Sequence, residues 1–305
     1  MGNVVVLGSL NMDLVVRTER IPRPGETVHG LDFRTVPGGK GANQAAAAAR
    51  LGVQVEMLGR VGEDAFGQEM LQNLNAQGVG THRVRHDAGA PSGTATIVVQ
   101  ADGENTIIVV PGANGQVAVQ DVDDNRDLLA NADYLVMQFE VPLPVVRHAI
   151  AQAEALGVRV VLNPAPAYAV DASFLKGVYC LVVNETEAET LTGLSVSGLE
   201  AAREAALALR ALGVPVVIVT LGAGGALLLA DDEFTHVPTR PVSVVDTTAA
   251  GDAFIGGLVA ALDRGMSLVE ALRYATCAGT LATTTLGAQT SLPLRAAVDA
   301  FYREE

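Results

Sequence analysis

Apolar residues along the chain fall into two kinds of run. Short, β-branched runs are nearly continuous in apolar character: NVVVLGS (3–9), VEMLG (55–59), YLVMQ (134–138), VRVVLN (158–163), YCLVVN (179–184) and VVIVTLG (216–222). Strands of this kind belong to a parallel sheet covered on both faces, because neither side of such a strand tolerates water. Between them lie helical patterns at 41–51, 65–77, 143–156 and 199–212, and residues 250–303 are mostly helical in pattern. The alternation predicts a doubly wound α/β fold, a mostly parallel sheet sandwiched by helices, with functional residues at the carboxyl ends of the strands.

Two segments interrupt this rhythm. Residues 13–36 and 93–110 each read as strand, polar Gly or Pro turn, strand, with no helix between. Together they predict a small antiparallel sheet projecting from the main one as a lid. The longest apolar stretch, 216–230, contains three glycines and is too short for a membrane span, so it predicts two buried strands joined by a turn. No Ser-, Gly- or Pro-rich linker divides the chain, and the only biased segment is the Ala-rich helix at 45–49. The expectation is one domain over 1–305.

Composition narrows the partners. With 305 residues and 49% apolar content the chain can bury a large core. The 34 acids against 20 Lys and Arg give a net charge of -14, which disfavours nucleic acid as a partner. An anionic ligand must then be held by backbone N–H groups, helix N-termini or a bound divalent metal, so any phosphate site should be glycine-rich. Cys180 and Cys277 are in no metal-ligand spacing and fit a reducing compartment. The first residues, MGNVVVLGS, have no basic region leading into an apolar one. These features predict a soluble, cytoplasmic protein with no membrane contact.

Five stretches carry candidate chemistry, each with a structural alternative. DTTAAGD (246–252) precedes an apolar helix, and Ala249, Ala250 and Gly251 are small enough for an oxyanion to approach the N–H groups; alternatively, Asp252 is an N-cap and Asp246 a turn residue. VPGGKGANQAAAAA (36–49) puts glycines, Lys40 and Asn43 at a helix start, but lacks the hydroxyl residue of a P-loop; alternatively it is a structural turn. NETEAETL (184–191) ends a strand with Asn184 and places Glu187 three residues on, which suits a hydrated Mg²⁺ or a helix cap. TLGAGGALLL (220–229) turns out of a strand beside bare backbone, where a nucleotide could lie, yet it enters a strand and lacks the third glycine of a dinucleotide site. In LGSLNMDLVV (7–16), Asn11 and Asp13 alternate and so share one side, suited to vicinal hydroxyls or to turn chemistry.

GSLNMD, GGKGANQA, MQFE, NPAPA, NETEAE, TLGAGG and DTTAAGD, in that order and at those intervals over residues 7–291, resemble the ribokinase and phosphofructokinase B superfamily of sugar kinases. The resemblance implies transfer of the γ-phosphoryl group of ATP to the 5-hydroxyl of D-ribose. By position it makes Asp252 the general base and the N–H groups of Ala250, Gly251 and Asp252 an anion hole. Asn11, Asp13, Gly39, Lys40, Asn43 and Glu140 match sugar-contacting places, and Asn184 and Glu187 the Mg²⁺ and phosphate region. The nucleotide is expected along Thr220, Leu221, Gly222, Ala223, Gly224 and Gly225, with Thr276 beside the adenine where the family often has His or Asn. A K⁺ site corresponds to Asp246, Thr248, Ala282, Thr285, Gly287 and Ser291, with Thr290 in place of a frequent Pro.

A lid over such a site would keep water from competing with the sugar, and its exposed edges invite a homodimer. Asn11, Asp13, Asn43 and Glu140 supply two amides and two carboxylates with Lys40 the sole cation, which favours a free sugar over a sugar phosphate. A fructokinase or nucleoside kinase of the same family is the alternative. An idle sugar-binding homologue would usually lose the base or the glycines, and a nicotinamide dehydrogenase would need G-x-G-x-x-G after a strand.

Overall fold

The computed structural model describes residues 3–101 and 104–304; residues 102 and 103 of the expected lid segment 93–110 and the terminal residues 1, 2 and 305 lie outside them. The main sheet runs in the order Glu233–Val237, Ala226–Ala230, Val216–Thr220, Val178–Asn184, Arg159–Leu162, Tyr134–Met137, Asn3–Leu7, Gln54–Gly62, Val79–Gly80, with Val84–Asp87 also paired to Gln54–Gly62. All pairings are parallel except those made by the edge hairpin Ala226–Val237. The expected strands and helices appear with ends shifted by a few residues, and 216–230 is two strands joined by a turn.

Two cores explain why the strands are apolar throughout. In Asn3–Leu7, Val4 and Val6 face a core shared with the helices Lys40–Arg50, Ala250–Asp263 and Leu268–Ala282. Val5 and Leu7 face a second core with the helices Leu143–Leu156 and Gly198–Ala211. Alternate side chains leave a strand on opposite faces, so a sheet buried on both sides needs both sets apolar. The strands at 79–80, 84–87 and 233–237 escape a sequence reading because they are two residues long or largely polar and exist by pairing to neighbours.

The Ala-rich run has a geometric reason. A Cβ on Gly256 would lie 2.4 Å from Ala47 Cβ and 2.8 Å from Ala48 N, so Lys40–Arg50 and Ala250–Asp263 meet nearly backbone to backbone. On the other side, a Cβ on Gly257 would lie 2.8 Å from Ala278 Cβ of Leu268–Ala282. The start of Lys40–Arg50 is pressed just as tightly onto the loop after the first strand, since a Cβ on Gly41 would sit 2.6 Å from Ser9 N. Buried interiors are close-packed, so any side chain added at these places would force the helices apart.

The lid is the second sheet, in the order Gly30–Gly38, Asn11–Thr18, Gly93–Val99, Asn105–Val110. Each expected segment forms an antiparallel hairpin, and the two are joined by a parallel pairing of Asn11–Thr18 with Gly93–Val99. Both of those strands leave the body side by side in the same direction, which makes their pairing parallel. Leu31, Phe33, Ile107, Ile108, Val109 and Val110 are exposed on the lid. Among the described residues, no helix is long and apolar enough to cross a membrane.

Candidate active site

The N-cap of Ala250–Asp263 is Ala249, at φ 60° and ψ 10°, and Asp252 lies inside the first turn. A left-handed alanine costs about 1–2 kcal/mol, which the surrounding packing sustains. Asp252 is therefore not a cap. Its Oδ2 accepts from Asn43 Nδ2 and its Oδ1 from Gln44 Nε2, each at 3.0 Å. Burial pushes the Asp252 carboxyl above its usual pKa, against the pull of Lys40, Asn43 and Gln44, and Glu140 adds to the rise. The Ala250 N–H donates to Thr247 O at 3.2 Å, which ties it into the preceding turn. Gly251 and Asp252 lie in the first turn, where N–H groups have no partner within the helix, and nothing lies within 4 Å of where a Gly251 Cβ would be.

Asn11 and Asp13 at the root of the lid, Gly39, Lys40 and Asn43 at the start of Lys40–Arg50, and Glu140 in the loop after Tyr134–Met137 are gathered around this carboxylate. Asn114 pairs with the backbone of Leu10, accepting from its N–H at 2.9 Å and donating to its carbonyl at 3.0 Å, and also donates to Asn11 Oδ1 at 2.7 Å. That contact turns the Asn11 NH₂ group away from Asn114, toward a ligand. Gly38 leaves room for Asp13, whose Oδ2 would lie 2.4 Å from a Cβ there. Burial, then the charges of Glu140 and Asp252, push the Asp13 carboxyl up to about 7. Gly39, at φ 90°, brings its backbone against Asn11 N.

Glu140 Oε2 accepts from the Lys40 N–H at 3.0 Å and from the Ser9 hydroxyl, so this acid also anchors the glycine loop. Burial opposes the charge on Lys40, but Asp252, Glu140 and Glu187 together hold its pKa above the usual lysine value. Asn43 Oδ1 is buried with no hydrogen-bond partner, an acceptor left open for a ligand hydroxyl. Asn11 and Glu140 open onto a cavity of about 460 Å³ walled by Phe139, Pro166 and Tyr168.

A second cleft, of about 360 Å³, begins at the other side of Gly251 and is lined by Ala250, Thr220, Gly222, Ala223, Gly225 and Thr276. Leu221 and Gly224 belong to the same turn, with Gly224 N bonded to Leu221 O, but do not line the cleft. Gly225 has φ 92°, and a Cβ there would lie 2.0 Å from Val237 O, so the edge hairpin itself demands glycine. Thr276 donates to Leu272 O at 2.9 Å and so turns its hydroxyl hydrogen onto its own helix. Sequence reasoning missed the opposite wall, Thr239, Arg240, Pro241 and Val242, and Thr280 at the floor. The wall residues are in an irregular segment with no periodic pattern; Thr280 lies one helical turn beyond Thr276, which is the signal that could have found it.

Asn184 and Glu187 realise the helix-cap reading offered for them. They form a reciprocal capping box, Glu187 N–H to Asn184 Oδ1 at 2.8 Å and Asn184 N–H to Glu187 Oε2 at 2.9 Å. Glu187 is nevertheless buried rather than exposed, and burial raises its pKa against the pull of Asn184 N–H, Lys40 and Asn163. With these polar atoms engaged, the pair fits a hydrated Mg²⁺ held through water better than a bare ion.

Asp246 joins two loops. Its Oδ1 accepts from the Thr248 N–H and hydroxyl at 2.9 and 2.7 Å, and its Oδ2 from the Gly287 N–H at 2.8 Å. Burial would raise its pKa, but the bonds from Thr248 and Gly287 outweigh it and hold the carboxyl below the usual range. Ala282, Thr285 and Ser291 lie along the same second loop, where Thr285 N–H donates to Ala282 O at 3.4 Å and the buried Ser291 donates to Ala288 O at 2.7 Å. Thr290 bonds Leu286 O at 2.8 Å, a closure of the loop that a proline could not supply. Carboxylate, hydroxyl and carbonyl oxygens are the donors a hard monovalent cation requires. Among the described residues no group of three or more His, Cys, Asp or Glu side chains could hold a metal by itself.

The match to the model of the pfkB family carbohydrate kinases spans residues 1–295. A ribokinase of Staphylococcus aureus is 38% identical over 293 residues, covering 95% of this chain and 96% of the relative. A deoxyribokinase of Salmonella typhi is 38% identical over 292 residues, covering 95% of each. The structure of Arabidopsis thaliana ribokinase complexed with ribose and ATP superimposes with a TM-score of 0.93 at 34% identity, covering 99% of both chains. The fold is thus shared along nearly the whole length, and the chain belongs to the pfkB family of carbohydrate kinases.

Proposed function

We propose that this kinase transfers the γ-phosphoryl group of ATP to O5 of D-ribose, giving D-ribose 5-phosphate and ADP. The observation that carries the reading is Asp252. Its carboxylate is buried between a pocket of amides and acids and a cleft of bare backbone, in the first turn of a helix. Phosphoryl transfer needs an acceptor oxygen in line with phosphorus and stabilisation of charge on the equatorial oxygens. Asp252 takes the proton of the sugar hydroxyl; the N–H groups of Gly251 and Asp252 meet the oxygens of the moving group, with that of Ala250 joining them if its turn bond to Thr247 opens. Lys40 offsets the negative charge of the acids around it.

Asn11, Asp13, Gly39, Asn43 and Glu140 are assigned to the sugar, and Thr220 to Gly225 with Thr276 to the nucleotide. Asn184 and Glu187 would hold Mg²⁺ through water, and the metal would neutralise phosphate oxygens. Asp246, Thr248, Ala282, Thr285, Gly287 and Ser291 would hold K⁺. Residues 1–305 act as one unit with the lid closing over the sugar, and two chains pair through the exposed apolar residues of their lids. The buried thiols Cys180 and Cys277 favour the cytoplasm.

Five measurements test these assignments. Asp252→Asn should lower kcat by ~10²–10⁴-fold with ribose binding largely kept; near-normal turnover removes Asp252 as base. ADP formation across D-ribose, 2-deoxy-D-ribose, D-fructose and nucleosides should favour D-ribose over D-fructose by at least ~10-fold in kcat/KM, because a wrong hydroxyl pattern leaves buried partners unpaired. In the same series, ribose binding without nucleotide should strengthen as pH rises through about 7, where Asp13 loses its proton and becomes the acceptor a sugar hydroxyl needs. Asp13→Asn should flatten that dependence, and a wild-type profile flat from pH 5.5 to 8.5 counts against Asp13 as a sugar ligand.

K⁺ should raise activity relative to Na⁺ or Li⁺ at constant ionic strength, and Asp246→Ala should abolish the difference. Equal activity in the three salts rejects the cation site. Sedimentation equilibrium at micromolar concentration should give a dimer that Ile108→Glu dissociates; a monomeric wild-type chain rejects pairing through the lids.

A further inference from the structure

Three side chains in the quoted motifs, Gln44 of GGKGANQA, Gln138 of MQFE and Asn163 of NPAPA, are given no task by the sugar, nucleotide or cation assignments, yet all three are buried. They form a continuous hydrogen-bonded chain. Asn163 Nδ2 donates to Val182 O at 3.1 Å and to Glu187 Oε2 at 3.2 Å. Its Oδ1 accepts from Gln44 Nε2 at 3.3 Å, and the same nitrogen donates to Asp252 Oδ1 at 3.0 Å. Gln44 Oε1 accepts from Gln138 Nε2 at 2.6 Å.

The sense of this chain is fixed from one end. A backbone carbonyl only accepts, so Val182 O compels Asn163 to present its NH₂ there and its oxygen to Gln44. Gln44 must then present its own NH₂, and both hydrogens of that group are used, one on Asn163 and one on Asp252. Gln138 satisfies the remaining oxygen, so Gln44 cannot flip without losing all three bonds. Asp252 thereby faces a donor that cannot become an acceptor. Protonating Asp252 Oδ1 would set two hydrogens against each other in a dry site, where such a mismatch is costly.

We propose that Gln44 is a positioning residue, polarised through Asn163 by the Val182 carbonyl and locked by Gln138, that keeps the Asp252 carboxylate ionised. The inference rests on Asp252 being the base. Other charged groups also bear on Asp252: Lys40 favours its ionised form, while Asp13, Glu140 and Glu187 oppose it. Gln44 and Asn43 are the neutral donors that oppose the rise without adding charge.

The test is the pH dependence of kcat, from pH 5 to 9 at saturating ribose and nucleotide, in the wild type, Gln44→Leu and Gln44→Glu. Loss of the donor in Gln44→Leu should move the acid limb up by about one pH unit, a ~10-fold loss of turnover on that limb. Turnover at pH 9 should stay within about twofold of wild type, with ribose KM little changed. Gln44→Glu keeps the length and shape but places a second acid beside Asp252, so its limb should move further still. It also serves as the readout if Gln44→Leu does not fold. A loss equal at every pH, or an unmoved limb in both variants, overturns the proposal. If Asp252→Asn is inactive while the limb stays put, only the role of Gln44 falls; if Asp252→Asn is active, the base assignment falls first and takes this inference with it.

Discussion

The arrangement of the site depends on how closely two helices approach. Packed helices usually stand 8–10 Å apart according to the side chains between them. Here Ala47 and Ala48 meet Gly256 with no space for even one added carbon. That contact sets Asn43 and Gln44, one turn up the first helix, within 3.0 Å of Asp252 near the start of the second. Gly41 against Ser9 then fixes the first helix to the loop that leads into the strand of Asn11 and Asp13. Asn11, Asp13, Asp252 and the glycine loop are thus positioned by shared backbone contacts rather than by long, mobile side chains.

Such rigidity has an electrostatic purpose. Asp13, Glu140, Glu187 and Asp252 influence one another's charge, and Lys40 is the cation set among them. Burial makes like charges expensive, so each acid needs either a donor or a proton. Asp252 has two amides, Glu187 has backbone and amide N–H groups, and Glu140 has the Lys40 N–H and the Ser9 hydroxyl. Asp13 has no such donor among the described residues, and its carboxyl is pushed up to about 7.

Much of the fold was legible because its signal is periodic. Six strands and four helices follow from apolar spacing, and the lid from two strand–turn–strand segments with no helix between. The site was legible as motifs, but not as roles. Asp252 could be a cap or a functional acid until Ala249 was seen, in a left-handed conformation, to occupy the cap position. The alanine run read as composition, since the glycine it packs against lies more than two hundred residues away. Gln44, Gln138 and Asn163 stood inside quoted motifs without a task, because an amide's role is set by which end faces which neighbour. The far wall of the nucleotide cleft had no pattern to read.

The acid cluster has a consequence for encounter as well as for chemistry. A chain of net charge -14 must take up a polyphosphate, and its surface field repels free nucleotide before any contact forms. At physiological salt that field reaches only about 8 Å, so the repulsion acts in the last steps of approach. It weakens for a nucleotide whose charge is already partly neutralised by a metal ion. The same negative charge that burdens the pocket therefore sorts incoming nucleotides by speed of capture, before the cleft can select them by fit.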